Sequence, residues 1–151
     1  MGSFKHLSVA LVVSQYYQDL TEKMVDGAVR KYCEIGGDKN QLSRFNVPGC
    51  FEIPQIAFQL VHSKAYHAVV CLGIVVKGET AHFEYVCNNV SQGLGKVALH
   101  ADIPVIFGVL TANDREQVLD RLGGSKGHKG EEAMAAAITM LDTLEQIKLI
   151  K

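Results

Sequence analysis

Ala68-Val69-Val70-Cys71-Leu72-Gly73-Ile74-Val75-Val76 is an unbroken apolar run. After Lys77 it gives way to Gly78-Glu79-Thr80-Ala81-His82-Phe83-Glu84-Tyr85-Val86-Cys87-Asn88-Asn89. A run that is apolar at odd and even positions alike predicts a strand buried on both faces, the habit of a parallel sheet. Gly78 lets the backbone turn. Val86, Val90, Leu94 and Val97 then recur at helical spacing, so a helix is predicted from His82 to about His100. Gly93 and Gly95 weaken its propensity, which points to close packing at those positions. In an open α/β sheet, ligands bind at the carboxyl ends of strands, and this junction is such an end.

The same alternation extends in both directions. Leu7 to Val13 is rich in β-branched residues and predicts a first strand. Asp19 to Cys33 sets Leu20, Met24, Ala28 and Val29 on one helical face, and Gly36-Gly37 supplies a C-terminal stop. Phe45 to Val47 ends a second strand before Pro48-Gly49. Pro54 suits the first turn of a helix running to about Ser63. Pro104 to Leu110 predicts a fourth strand, and Asn113 with Glu116 a capped helix through Leu122. Gly123 to Gly130 is expected to be a flexible basic connector, with a final helix from Glu131 to Lys148. Strands alternating with helices predict one doubly wound domain, a central four-stranded parallel sheet with helices on both faces.

A length of 151 residues favours a single domain, read here over residues 1–151. With 48% hydrophobic and 21% charged residues the composition is that of a soluble globular protein. A net charge of -1 argues against a nucleic-acid or membrane-surface partner, so any anion must be met by a local cluster of groups. Cys33, Cys50, Cys71 and Cys87 contain no C-x-x-C pair, which gives no zinc or redox motif and suggests reduced thiols in a cytoplasmic setting. The start, Met1 to His6, lacks the apolar core of a signal peptide, and no stretch approaches the ~20 apolar residues of a membrane span.

Three strand ends carry unusual residues. Ser14-Gln15-Tyr16-Tyr17 offers flat faces for a heteroaromatic ring, or simply covers the edge of the core. Glu52, within Val47-Pro48-Gly49-Cys50-Phe51-Glu52-Ile53-Pro54, is a carboxylate among apolar neighbours. It either accepts ligand hydroxyls or caps the next helix. Thr80 with a helix N-terminus makes a phosphate seat, and His82 beside it carries an imidazole, the side-chain type suited to proton shuttling. Glu79 would repel a phosphate there, so only its backbone is compatible with the seat. Arg121, before the Gly-rich connector, is the candidate counter-charge or a helix C-terminal partner, while Lys126 and Lys129 either join it or solvate the loop.

The segments VPGCFEIP at 47–54, GIVVKGETAHFEYVCNN at 73–89 and PVIFGVLT at 104–111, with Arg121 and Gly127-His128-Lys129-Gly130, resemble lumazine synthases in order and spacing. The resemblance runs from about Leu7 to the final helix and implies a flavodoxin-like three-layer α/β/α fold. It implies a transferase of riboflavin biosynthesis, condensing 5-amino-6-(D-ribitylamino)uracil with 3,4-dihydroxy-2-butanone 4-phosphate. The products are 6,7-dimethyl-8-ribityllumazine, phosphate and water, with no cofactor or metal.

By that likeness Tyr16 stacks on the pyrimidine, and Cys50, Phe51 and Glu52 hold the substrate through backbone groups and a carboxylate on the ribityl hydroxyls. Ile74, Val75 and Val76 read the pyrimidine edge, and Phe107 is an apolar wall. Glu79 and Thr80 form the phosphate turn with Arg121 as its cation, and His82 is the acid/base. Lys129 and Glu132 are a nearby charged pair. Tyr16 stands where Phe or Trp is usual, Cys50 where Ala or Ser is, Glu79 where a small residue is, and His128 where Asn is.

The resemblance also implies a homo-oligomer with sites at subunit interfaces. The family forms pentamers, and the connector, with no extra residues, leans toward an icosahedral sixty-subunit shell. Phe107 and Arg121 would then come from an adjacent chain. Two other readings share the fold, an archaeal-type riboflavin synthase and a non-catalytic lumazine or flavin carrier.

Overall fold

Four runs of aliphatic and β-branched residues form parallel strands: β1 (Val9–Ser14), β2 (Leu42–Val47), β3 (Ala68–Val76) and β4 (Val105–Ala112). The computed structural model describes residues 4–150, so part of the Met1–His6 reading and the two extremes of the 1–151 domain lie outside the described residues. Strand order is β2-β1-β3-β4. The two interior strands are buried along nearly their whole length, as the unbroken apolar runs require.

Alternate side chains feed two cores. Val9, Leu11, Val13, Val70, Leu72 and Ile74 face α1 (Gln18–Glu34) and α5 (Lys129–Lys148). Ala10, Val12, Val69, Cys71 and Val75 face α2 (Ile53–Ser63) and α3 (His82–Leu99). The three-layer α/β/α expectation holds, including the predicted inward residues of α3, Val86, Val90, Leu94 and Val97. Each fully buried aliphatic side chain contributes about 1.5–3 kcal/mol, so this double-sided burial is the main support of the sheet. Val13 pairs with Leu72 at the last β1–β3 register, so Ile74, Val75 and Val76 project beyond the end of β1. That overhang makes a step in the carboxyl edge of the sheet.

Helix boundaries follow local chemistry. Pro54 occupies the first turn of α2, and Gly36, at φ 92°, turns the chain out of α1 in the left-handed region. The close packing expected along α3 holds at Gly93, where an added Cβ would lie 2.7 Å from Pro54 Cβ. It does not hold at Gly95, which has open space.

Two expectations are corrected. The helix after β4, α4 (Arg115–Asp120), is capped by Asp114, whose carboxylate accepts from Gln117 N at 2.9 Å. Asn113 instead donates its backbone N–H to the Gln117 side chain. The acceptor three residues before the free N–H is Asp114, one position later than read. The Gly123–Gly130 stretch is an ordered hairpin, β5 (Leu122–Gly124) against β6 (Gly127–His128), and α5 already begins at Lys129. His128 caps that helix, its Nδ1 accepting from Glu131 N at 3.5 Å.

The four cysteines are unpaired, and among the described residues no helix is long and apolar enough to cross a membrane.

Candidate active site

The step at the carboxyl edge opens into a cavity of about 650 Å³. Its walls come from the ends of β1, β2 and β3 and the start of α3. Tyr16 and Tyr17 follow β1, the Pro48–Glu52 segment follows β2, and Ile74, Val75 and Val76 form the β3 overhang. Gly78, Thr80, His82, Phe83 and Val86 complete the lining. Parallel pairing aligns the strand ends, and so segments read separately along the chain meet in one place.

Each wall has a local cause. Glu52 is half-buried, and its Oε2 accepts from Gly49 N at 3.1 Å, closing the turn after β2. That bond stabilises the turn itself, rather than capping α2 as one sequence reading had it. Tyr16 packs over Gly49, where an added Cβ would lie 3.3 Å from both the Tyr16 ring and Glu52 Oε2. Beneath them Ser14 is fully buried, and its Oγ accepts from Tyr16 N at 3.4 Å.

Cys50 lies deep in the floor. Its Sγ occupies the space over Gly73, where a Cβ would come within 2.5 Å, and its thiol donates to the Ile74 carbonyl at 3.8 Å. Burial pushes this thiol up to about 11, against a smaller opposing effect of a hydrogen bond from Ser14. Cys50 is therefore a neutral packing group at physiological pH, not a nucleophile. Burial likewise raises the Cys71 and Cys87 thiols.

At the fourth wall, Thr80 Oγ1 accepts from His82 N at 3.4 Å, tying the turn to the first residue of α3. No side chain caps the helix at Ala81. The helix N-terminus, a threonine hydroxyl and an exposed imidazole thus share one corner of the cavity, an arrangement suited to an anion beside a proton donor. Glu79, between the lining residues Gly78 and Thr80, is solvent-exposed and not itself part of the lining.

Of the residues singled out from sequence, Tyr16, Cys50, Phe51, Glu52, Ile74, Val75, Val76, Thr80 and His82 meet at this cavity. Phe107, Arg121, Lys129 and Glu132 do not line it within the chain. Phe107 sits partway along β4, paired with Cys71 and 42% exposed. Arg121 follows α4 and donates from Nη1 to the Gln117 carbonyl at 2.9 Å, and its own carbonyl accepts from Lys129 N at 2.8 Å.

One contributor escaped the sequence reading, and a second, read there as an aromatic face, has an unexpected backbone. Asn89 donates from its side chain to the Phe51 carbonyl at 2.9 Å and so clamps the β2 segment to α3. Tyr17 lines the cavity in a left-handed backbone conformation. Asn89 reads from sequence as an ordinary helix-surface residue, and nothing local reveals its partner thirty-eight residues away.

Residues 6–145 match the family model described as 6,7-dimethyl-8-ribityllumazine synthase. The chain belongs to that family. A 6,7-dimethyl-8-ribityllumazine synthase of Coxiella burnetii (strain CbuG_Q212) is 45% identical over 148 residues, spanning 98% of this chain and 96% of the relative. One from Ruthia magnifica subsp. Calyptogena magnifica is 41% identical over 144 residues, 92% of this chain and 86% of that protein. The match to the lumazine synthase family spans every wall of the cavity.

Proposed function

We propose that this chain works in riboflavin biosynthesis, as a transferase that condenses 5-amino-6-(D-ribitylamino)uracil with 3,4-dihydroxy-2-butanone 4-phosphate. The products are 6,7-dimethyl-8-ribityllumazine, phosphate and water. The observation that carries this reading is the single cavity where Tyr16, Glu52, Thr80 and His82 meet, in a chain matched by the lumazine synthase family over residues 6–145.

The chemistry follows from those groups. The pyrimidine stacks on Tyr16, its ribityl hydroxyls donate to the Glu52 carboxylate, and the β3 overhang at Ile74–Val76 meets its edge. The phosphate ester occupies the Thr80 turn at the start of α3. The pyrimidine amine attacks the ketone carbon, and the resulting carbinolamine loses water to give an imine. Phosphate is then eliminated, the enol left behind tautomerises to a ketone, and the ribityl-bearing nitrogen attacks that ketone and expels a second water to close the ring. Every step moves a proton, and His82, in the cavity lining, gives and takes it in this scheme. Arg121 offsets the charge of the departing phosphate. None of these steps calls for a metal or cofactor, and much of the acceleration comes from holding two reactants together.

Phe107, Arg121, Lys129 and Glu132 enter this scheme from a neighbouring subunit. The reading therefore includes a homo-oligomer, a pentamer with sites between subunits, and its extension to an icosahedral shell, in a cytoplasmic setting. Sedimentation distinguishes pentamer from shell.

The test is incubation with both substrates, following lumazine absorbance and released phosphate. Stoichiometric product and phosphate are expected. His82→Ala, folding normally, should lower the single-turnover rate about 100-fold or more. An unchanged rate would remove His82 from the scheme. Riboflavin formed from lumazine alone, or binding without turnover, would replace the synthase with the riboflavin synthase or the carrier.

A further inference from the structure

Among the described residues only two that are not glycine have positive φ, Lys64 and Tyr17. Lys64, at φ 59°, closes the C-terminal end of α2, where left-handed backbone is common. Tyr17 is different. It stands at the N-terminal boundary of α1 with φ 55° and ψ 51°, where capping residues normally adopt extended backbone. No side chain caps the helix there. The peptide is nevertheless held firmly. The Tyr17 carbonyl accepts from Leu20 N and Thr21 N, each at 2.9 Å, and from the Thr21 hydroxyl at 3.3 Å.

A left-handed boundary of this kind suits glycine or asparagine, which adopt it with little strain. A bulky aromatic residue there costs conformational energy and forgoes the hydrogen bond of a capping side chain. Burial does not explain the choice, because Tyr17 stays 41% exposed. The left-handed turn does bring the ring to the cavity, beside Tyr16. The two ring centroids are 6.4 Å apart with planes tilted by 55°. Tyr16 lies over Gly49, so the pair forms an aromatic corner of two rings set at an angle to each other. Strain retained at a ligand-facing residue is the pattern of a binding device.

We propose that Tyr17 is a specificity-determining residue of this cavity, its ring forming with Tyr16 an aromatic corner that selects a planar heteroaromatic substrate. The inference rests on the proposed function, which makes that substrate the aminopyrimidine. The ring does the selecting. The hydroxyl does not, so phenylalanine serves as well. The phosphorylated dihydroxybutanone, which has no aromatic plane, gains nothing from the corner.

The decisive variants are Tyr17→Asn, which removes the ring and suits the backbone, and Tyr17→Phe, which keeps the ring. Steady-state kinetics are measured against each substrate in turn, with thermal unfolding alongside. Tyr17→Asn should raise KM for 5-amino-6-(D-ribitylamino)uracil about tenfold and leave KM for 3,4-dihydroxy-2-butanone 4-phosphate within about twofold. Its unfolding midpoint should be no lower than that of the unsubstituted protein, because the backbone strain is relieved. Tyr17→Phe should match the unsubstituted protein in both constants. Equal rises in the two constants, no rise at all, or a Phe variant that behaves like the Asn variant would overturn the proposal. If the unsubstituted protein makes no lumazine, the proposed function fails instead. Calorimetric titration with the aminopyrimidine alone then decides Tyr17: the Asn variant should bind about tenfold more weakly. Equal affinity, or no binding to either protein, would overturn it.

Discussion

Glu79 is the residue whose charge opposes its surroundings. It lies between Gly78 and Thr80, at the corner where the proposed phosphate seat meets the start of α3, yet the cavity lining omits it. Its exposure lets water and salt weaken the repulsion, which falls off over about 8 Å at physiological ionic strength. Glu79→Ala should lower KM for the phosphorylated substrate by about two- to fivefold at low salt, and the gain should shrink in 0.5 M salt. Kinetics at both salt concentrations check this, and an unchanged or raised constant would defeat the repulsion argument. Local chemistry made His82, Thr80 and Glu52 legible in the sequence, because a titratable or polar group after an apolar run is visible without a fold. It could not tell whether Glu52 also holds the backbone in place. Only the Gly49 partner showed that its carboxylate closes the turn after β2 while lining the cavity. Tyr17 was visible as an aromatic residue, but its left-handed backbone depends on how β1 feeds α1.

Among the elements, the seam between α1 and α5 carries the hairpin that holds Arg121 and Lys129. A Cβ on Gly130 would lie 2.0 Å from the Met24 carbonyl oxygen, and one on Gly27 would lie 2.1 Å from the His128 ring. Arg30 and Glu131 bridge the same seam at 2.5 Å, which holds the Glu131 carboxyl below its usual value. An exposed pair of this kind adds little, so backbone contact dominates. Gly130→Ala must push two helices apart, since the obstructing atom is backbone. It should cost about 1–3 kcal/mol in urea unfolding, and a loss under about 0.5 kcal/mol would contradict the seam. Helices α1 and α3 were legible because their apolar spacing is strong, and α2 because Pro54 marks its first turn. The Gly123–Gly130 hairpin was not, because glycine-rich sequence looks like a tether unless its pairing partners are known.

At the scale of the whole molecule, one chain supplies three strand ends and a helix start but leaves Phe107 and Arg121 apart from the cavity. The proposed assembly completes the site from a neighbour, and subunit mixing tests that. His82→Ala and Arg121→Ala subunits, each nearly inactive, should regain about a quarter of the full activity when refolded together in equal amounts, because some interfaces join two intact residues. Activity no higher than that of either variant alone would mean that each site is completed within one chain.

The sequence by itself determined the alternation of strands and helices, the doubly buried β3 and the chemical identity of the groups at each strand end. These depend on local pattern and on side-chain type, which a chain carries before it folds. The tertiary structure decided which of those groups meet. Parallel register aligned the ends of β1, β2 and β3 and let β3 overhang, while Gly73 made room for Cys50 and Asn89 clamped Phe51 from α3. Such contacts join residues far apart in the chain, and no spacing along it records them.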